Sequence, residues 1–259
     1  MQYFPVFITA IFCLNTAIVQ ADDNNPAEQD GVTVGLASRY APRYSGASDY
    51  YWNPLPVFQA RQGAFFADTD KGIGYDLQAG GFYLEQTLGY SFGRTDHNSS
   101  WRDGSHRLQG MGTIDGALNT GIEIGWQFSD RLSVAAKAIL PLTDSQGAQY
   151  QGSITDIFFK NQDDSLGFQA SLLFGDARYN TLFYGVSSAQ SQRSGYRTYH
   201  AGGGLYGQSL YLFWTHQVDR HWAVNLLAGY THLNDKAADS PIVYRTHQGE
   251  GTLAVTYRF

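Results

Sequence analysis

At 259 residues the chain is long enough for one large domain or two small ones, and its formal net charge of −6 argues against nucleic acid, whose binders need a basic face. Charged residues are only 15%, against roughly 25% in soluble domains, while 18 Tyr, 16 Phe, 5 Trp and 29 Gly accumulate. Mean hydropathy is nevertheless −0.31. A transmembrane β-barrel has this composition, because half of each strand faces lipid and half faces water.

The chain begins with an apolar run, Phe4 to Val19, followed by Val19-Gln20-Ala21 and the polar Asp22-Asp23-Asn24-Asn25. Small residues at 19 and 21 fit an export-signal cleavage site, so residues 1–21 are predicted to be a signal peptide and 22–259 the mature barrel. The sole cysteine, Cys13, lies inside the signal, which leaves the mature chain without a disulfide or a cysteine metal site. Beyond Ala21 no stretch approaches the roughly 18 apolar residues of a membrane-spanning helix.

What recurs instead is a period of two. A first strand is expected near 31–40, Gly31 to Tyr40. Pro54 to Ala79 reads either as three short strands or as one long kinked strand. Phe82, Leu84, Leu88, Tyr90 and Phe92 share a face, with Tyr83, Glu85, Thr87 and Ser91 opposite. Leu118, Ile122, Ile124, Trp126 and Phe128 alternate with Asn119, Gly121, Glu123, Gly125 and Gln127. Leu132 to Leu140, Leu166 to Phe174 and Trp222 to Tyr230 alternate likewise. Each segment runs about ten residues, the length that crosses a bilayer at a tilt, and the face opposite the apolar one is small and polar. The total is about twelve antiparallel strands, or ten on the kinked reading.

Ser129–Arg131, Gly175–Asn180 and Val218–His221 read as tight turns; Gly93–Gly110, Thr143–Ser153, Ser191–Arg197 and Asn234–Gln248 read as longer polar loops. Outer-membrane barrels alternate in this way, with short turns on the periplasmic side. Asp130, Ala177 and Asp219 are therefore expected in periplasmic turns, and Ser99, Gln146, Gly195 and Ala238 in outward loops. Trp126, Phe128, Phe174, Trp214 and Trp222 are expected to form an aromatic girdle at the short-turn end. The hairpin about Ser129–Arg131 sets Glu123 opposite Lys137 as a lumenal charge pair, with Glu85 on the neighbouring strand. A last strand near 248–259 must close the barrel against the first. Tyr257 and Phe259, alternate aromatics at the terminus, resemble the signal read by the barrel assembly machinery.

Several stretches together resemble the MipA/OmpV family of outer-membrane proteins: Tyr40 to Asp68, Leu108 to Gly121, Tyr184 to Leu205 and Asp235 to Val243, before the terminal Thr256-Tyr257-Arg258-Phe259. The resemblance implies a barrel in the outer membrane of a Gram-negative bacterium, without known catalysis. The member that named the family is described as a scaffold joining a murein-cleaving lytic transglycosylase to a penicillin-binding murein synthase; others are treated as porin-like proteins, antigens or adhesins.

The residues themselves offer little chemistry. His97 and His106 share a loop with Asp96 and Asp103, but the spacing fixes no metal geometry. His216 and His221 flank a tight turn. Asp239-Ser240-Pro241 lacks a paired base and is expected to stiffen the last long loop. No G-x-S-x-G elbow or phosphate cradle is present. The expectation is a non-enzymatic barrel with no catalytic residues, no metal and no cofactor. Its partners would be outer-membrane lipid, the assembly machinery and periplasmic murein-remodelling enzymes, with a narrow solute channel as the alternative role and an adhesin or enzyme after that.

Overall fold

A computed structural model describes residues 30–143 and 146–259; the signal expected over 1–21 lies outside the described residues. The chain runs through β1 (Gly31–Pro42), β2 (Tyr50–Gln62), β3 (Phe65–Asp68), β4 (Gly72–Ala79), β5 (Phe82–Ser91), β6 (Arg94–Thr95), β7 (Asp103–Gly104), β8 (Ala117–Gln127), β9 (Leu132–Pro141), β10 (Gln149–Lys160) and β11 (Asp164–Gly175). Helices α1 (Ala177–Tyr184) and α2 (Ser188–Ser194) follow, then β12 (Gly204–Gln217), β13 (Trp222–Leu233), α3 (Asp235–Ala238) and β14 (His247–Arg258). All strands except β6 and β7 form one closed twelve-stranded barrel, and neighbours pair antiparallel throughout, β1 with β14 included. No described helix is long and apolar enough to cross a membrane.

The period of two becomes an inside and an outside. On β8, Ile122, Ile124 and Trp126 stand exposed while Glu123 is buried; on β14, Leu253 and Val255 are exposed and Thr252 is buried. The inner face is small enough to admit larger neighbours. A Cβ on Gly125 would lie 2.2 Å from the Tyr83 ring, so this glycine makes room for the tyrosine to turn inward. The ambiguous Pro54–Ala79 region contains most of β2 and the short hairpin β3–β4, which completes the count of twelve.

One turn, and with it one girdle residue, lies at the other end of the barrel from the one its sequence suggests. Gly175–Asn180 is not a tight turn at the short-turn end. Asp176 caps α1, accepting from Tyr179 N at 2.6 Å and from Ala148 N at 2.9 Å, so Ala177 belongs to the long-loop end. The true short turn is Asn161–Asp163, where Asn161 Oδ1 accepts from Asp163 N at 2.9 Å and Asp164 N at 2.6 Å. Inserting that reversal flips the direction of everything after it until the next turn. Phe174, paired with Tyr150, therefore stands near the long-loop end, apart from the girdle assigned to it. The segment Ser191–Arg197 is also more ordered than a loop. α2 opens on a reciprocal Ser187–Gln190 capping box and closes on Gly195 at φ +78°, a left-handed stop that glycine adopts without strain.

Asp130 and Asp219 lie at one end of the barrel, and Ser99, Gln146, Gly195 and Ala238 at the other. Trp126, Phe128 and Trp222 face outward at the short-turn end. There Trp214 also donates from Nε1 to Asp164 at 2.8 Å.

Candidate functional site

The long loops do not wave in solvent. They fold over the barrel mouth as a dome with its own apolar centre. Tyr44, Leu108, Met111, Val186 and Ile242 form one buried cluster; Tyr179, Tyr184, Ala201, Tyr206 and Leu233 form another. Polar contacts tie the loops to one another. Tyr44 Oη donates to Ile242 O at 2.8 Å, and Gln248 accepts from Gly46 N at 2.8 Å while donating to Ala47 O at 3.1 Å. Gln190 donates to Met111 O at 2.8 Å, and Gln146 to Asp115 O at 2.8 Å. Ser240 donates to Tyr184 O, pinning the last loop to the end of α1. This is the structural use of the Asp239-Ser240-Pro241 stretch.

At the base of the dome sits Arg94, only 4% exposed. It donates to Phe183 O, and its guanidinium lies 5.8 Å from the centroids of both Tyr44 and Phe183. Burial lowers its pKa from the ordinary value. Asp103 borders the cavity beneath. Burial pushes its carboxyl up to about 7, against the opposing pull of Arg39 and Arg94.

That cavity, of ≈ 400 Å³, occupies the lumen under the dome. The lumen carries charge in matched pairs, of which Arg39, Lys71, Lys137 and Glu250 line the cavity itself. Glu123 and Lys137 are directly opposite on β8 and β9, with Nζ 3.6 Å from Oε2, and Tyr83 Oη lies 3.3 Å from Glu123. Glu85 faces Glu123 across β5 and β8, a like-charge juxtaposition offset by Lys71 at 2.5 Å from Glu85. Arg61 pairs with Asp76. On the far wall Arg39 Nε donates to Glu250 at 3.0 Å, and Tyr211 Oη donates to the same carboxylate. The Arg39–Glu250 pair escaped sequence reading because 211 residues separate the partners. The signal available was a charge on the polar face of the first strand and its opposite on the last, the strands that closure brings together. Lys71 escaped because it lies in a turn rather than on a patterned strand.

His232 and His247 stack at 4.4 Å between ring centroids, while the histidines singled out from the sequence are engaged with other side chains or not gathered into a site. His97 lies 2.7 Å from Thr95 Oγ1, His216 lies 2.9 Å from Asp164 and stacks on Trp214, and His221 stacks on Tyr257. Among the described residues no group of three metal-ligating side chains assembles. At the terminus, Tyr257 packs edge-on against Phe259 at 5.0 Å, and Phe259 N donates to Val32 O at 3.0 Å.

A closed antiparallel sheet, apolar outside and polar within, with short turns at one end and long loops at the other, is an outer-membrane β-barrel. The chain belongs to the family described as MltA-interacting protein MipA, which matches residues 34–259. It is 25% identical over 195 residues to the outer membrane protein YiaT of Escherichia coli K12, covering 69% of this chain and 77% of that one. To the MltA-interacting protein of Escherichia coli K12 it is 35% identical over 80 residues, 31% of this chain and 32% of that one. Among solved structures, the KdgM porin aligns with a TM-score of 0.48 at 11% identity, covering 88% of this chain and 99% of that one.

Proposed function

We propose that this protein is a capped, non-enzymatic barrel that anchors murein-remodelling enzymes, a lytic transglycosylase and a penicillin-binding synthase, at the periplasmic face of the outer membrane. The observation that supports this over free diffusion of solutes is the dome. Its buried clusters and loop-to-loop hydrogen bonds close the long-loop mouth with packing like that of a protein core. The lumenal charges support the same reading. Glu123 and Lys137 act as a cross-brace, since each is engaged by its opposite rather than presented to a passing solute. In this reading the short turns at Asp130 and Asp219 face the periplasm, Trp126, Phe128, Trp214 and Trp222 hold the inner interface, and Tyr257 with Phe259 is the signal for the assembly machinery.

Affinity capture from solubilised envelopes, with the mature barrel as bait, tests the scaffold. Murein synthases and lytic transglycosylases should be enriched over a barrel of unrelated family. Planar-bilayer recording tests the alternative: stable single-channel conductance, with no such enrichment, would replace the scaffold with a narrow porin-like channel.

A further inference from the structure

The barrel wall is incomplete on one side. β3 has only four residues, and β2 pairs with it only from Gln59 to Gln62. Above that level β2 continues as Tyr50 to Phe58, paired on one side with β1. Across the short hairpin, β5 pairs with β4 as far as Leu88 and continues to Ser91, paired only with β8. Among the described residues no strand joins the upper part of β2 to the upper part of β5.

The gap lies within the lipid-facing band. Pro56 and Pro54 stand opposite Leu36 and Ser38, and Trp52 opposite Tyr40; Leu36 is 65% exposed and Trp52 67%. An unpaired strand edge in lipid is costly, because nothing there satisfies its backbone groups. Two features reduce the cost. Phe58 spends its N–H and C=O on Thr69, at 2.7 and 2.9 Å. Residues two apart on a strand address the same neighbour, so positions 56 and 54 face the gap as well, and both are proline, which has no N–H to leave unpaired. The same prolines prevent another strand from docking to this edge.

The interior agrees. Asp70 and Lys71 of the β3–β4 turn, at the lower margin of the gap, border the lumenal cavity, as do Ser91 and Phe92 at the top of β5. The upper margin is the loop after β5, held to the β1–β2 corner by Gly104 N donating to Arg43 O at 2.8 Å.

We propose that the lumen opens sideways between β2 and β5, above the β3–β4 hairpin, and that a single-chain amphiphile passes through this portal from the surrounding leaflet to occupy the cavity. The rim of Pro54, Pro56 and Phe92 suits an acyl chain, and the polar hydroxyl- and amide-bearing interior of the lumen, with Ser171, Ser209, Gln149 and Gln151 among its lining, suits its head group. The ≈ 400 Å³ volume is that of a site for one small molecule rather than a two-chain lipid. This inference is independent of the scaffold reading.

The test uses the refolded barrel in vesicles, with a small bimane fluorophore on Ser209→Cys, a cavity-lining position on the wall formed by β12. Ser171→Cys supplies the same reading from β11 should the first variant fail to assemble. The probe is decanoate carrying a nitroxide, which should quench the label at least twofold. A phosphatidylcholine with the same nitroxide on one chain should not. No quenching by the fatty acid, or equal quenching by both, overturns the proposal. The route is read separately: Ser91→Trp, which fills the inner side of the gap, should slow quenching at least fivefold. An unchanged rate would place entry elsewhere and overturn the portal.

Discussion

Removing Lys137 is expected to damage the barrel more than removing its partner, and the asymmetry follows from the neighbouring strand. The Nζ–Oε2 separation of 3.6 Å corresponds to roughly 5 kcal/mol of gross attraction at an effective permittivity of about 20. Desolvation of side chains only 12% and 6% exposed offsets most of it. Glu123 also faces Glu85. In Lys137→Met, two carboxylates confront each other with Lys71 as the remaining cation, whereas in Glu123→Gln the amide can still meet Tyr83 and Lys137 still reaches the cavity. We expect a loss of about 2–3 kcal/mol for Lys137→Met, about 1 for Glu123→Gln, and a coupling of about 1–2 in the double variant, intermediate between exposed and fully buried pairs. Urea unfolding in micelles, followed by tryptophan emission and by heat-modifiable migration, would measure all three. Strict additivity, or a smaller loss for Lys137→Met than for Glu123→Gln, would refute the reasoning.

Asp103 gives a pH dependence. Its folded pKa of about 7 lies above the ordinary 3.8, so the native dome holds a proton that the unfolded chain has released. Dome stability should therefore fall as pH rises from about 4 to about 7 and level off above that; limited proteolysis of the loops should show this slope, and Asp103→Asn should abolish it. Ile124→Arg places a charge on the lipid face and should destabilise by on the order of 2–4 kcal/mol, while Gln127→Arg, inward and near the turn, should be mild; equal tolerance would mean the faces are misassigned. Deleting Phe259 should reduce assembled barrel far more than its single backbone bond to Val32 explains, and normal levels of protease-resistant barrel in the deletion strain would remove the terminal-signal reading. Epitope tags at Ser99 or Ala238 should be accessible on intact cells; tags revealed only after permeabilisation would invert the barrel.

The alternation of side chains determined the barrel by itself. Ile122-Glu123-Ile124-Gly125-Trp126 can bury only one kind of surface on each side, and a period of two maps directly onto the pleat of a strand. A two-faced final strand must pair with something, and the first strand is the partner that closure leaves. The Glu123–Lys137 facing was also legible, because a tight turn fixes register locally. Direction was more fragile. Asn161-Gln162-Asp163 and Gly175-Asp176-Ala177 both look like turns, since asparagine and aspartate serve hairpins and helix caps through the same side-chain acceptance of backbone N–H groups. Only the surroundings, a partner strand in one case and the apolar dome in the other, separate them. The dome, the Arg39–Glu250 pair and the gap beside β2 were decided by the tertiary structure alone. Each depends on segments distant in sequence being brought together, or in the gap's case kept apart, by the shear of a closed sheet and by a hairpin too short to fill it.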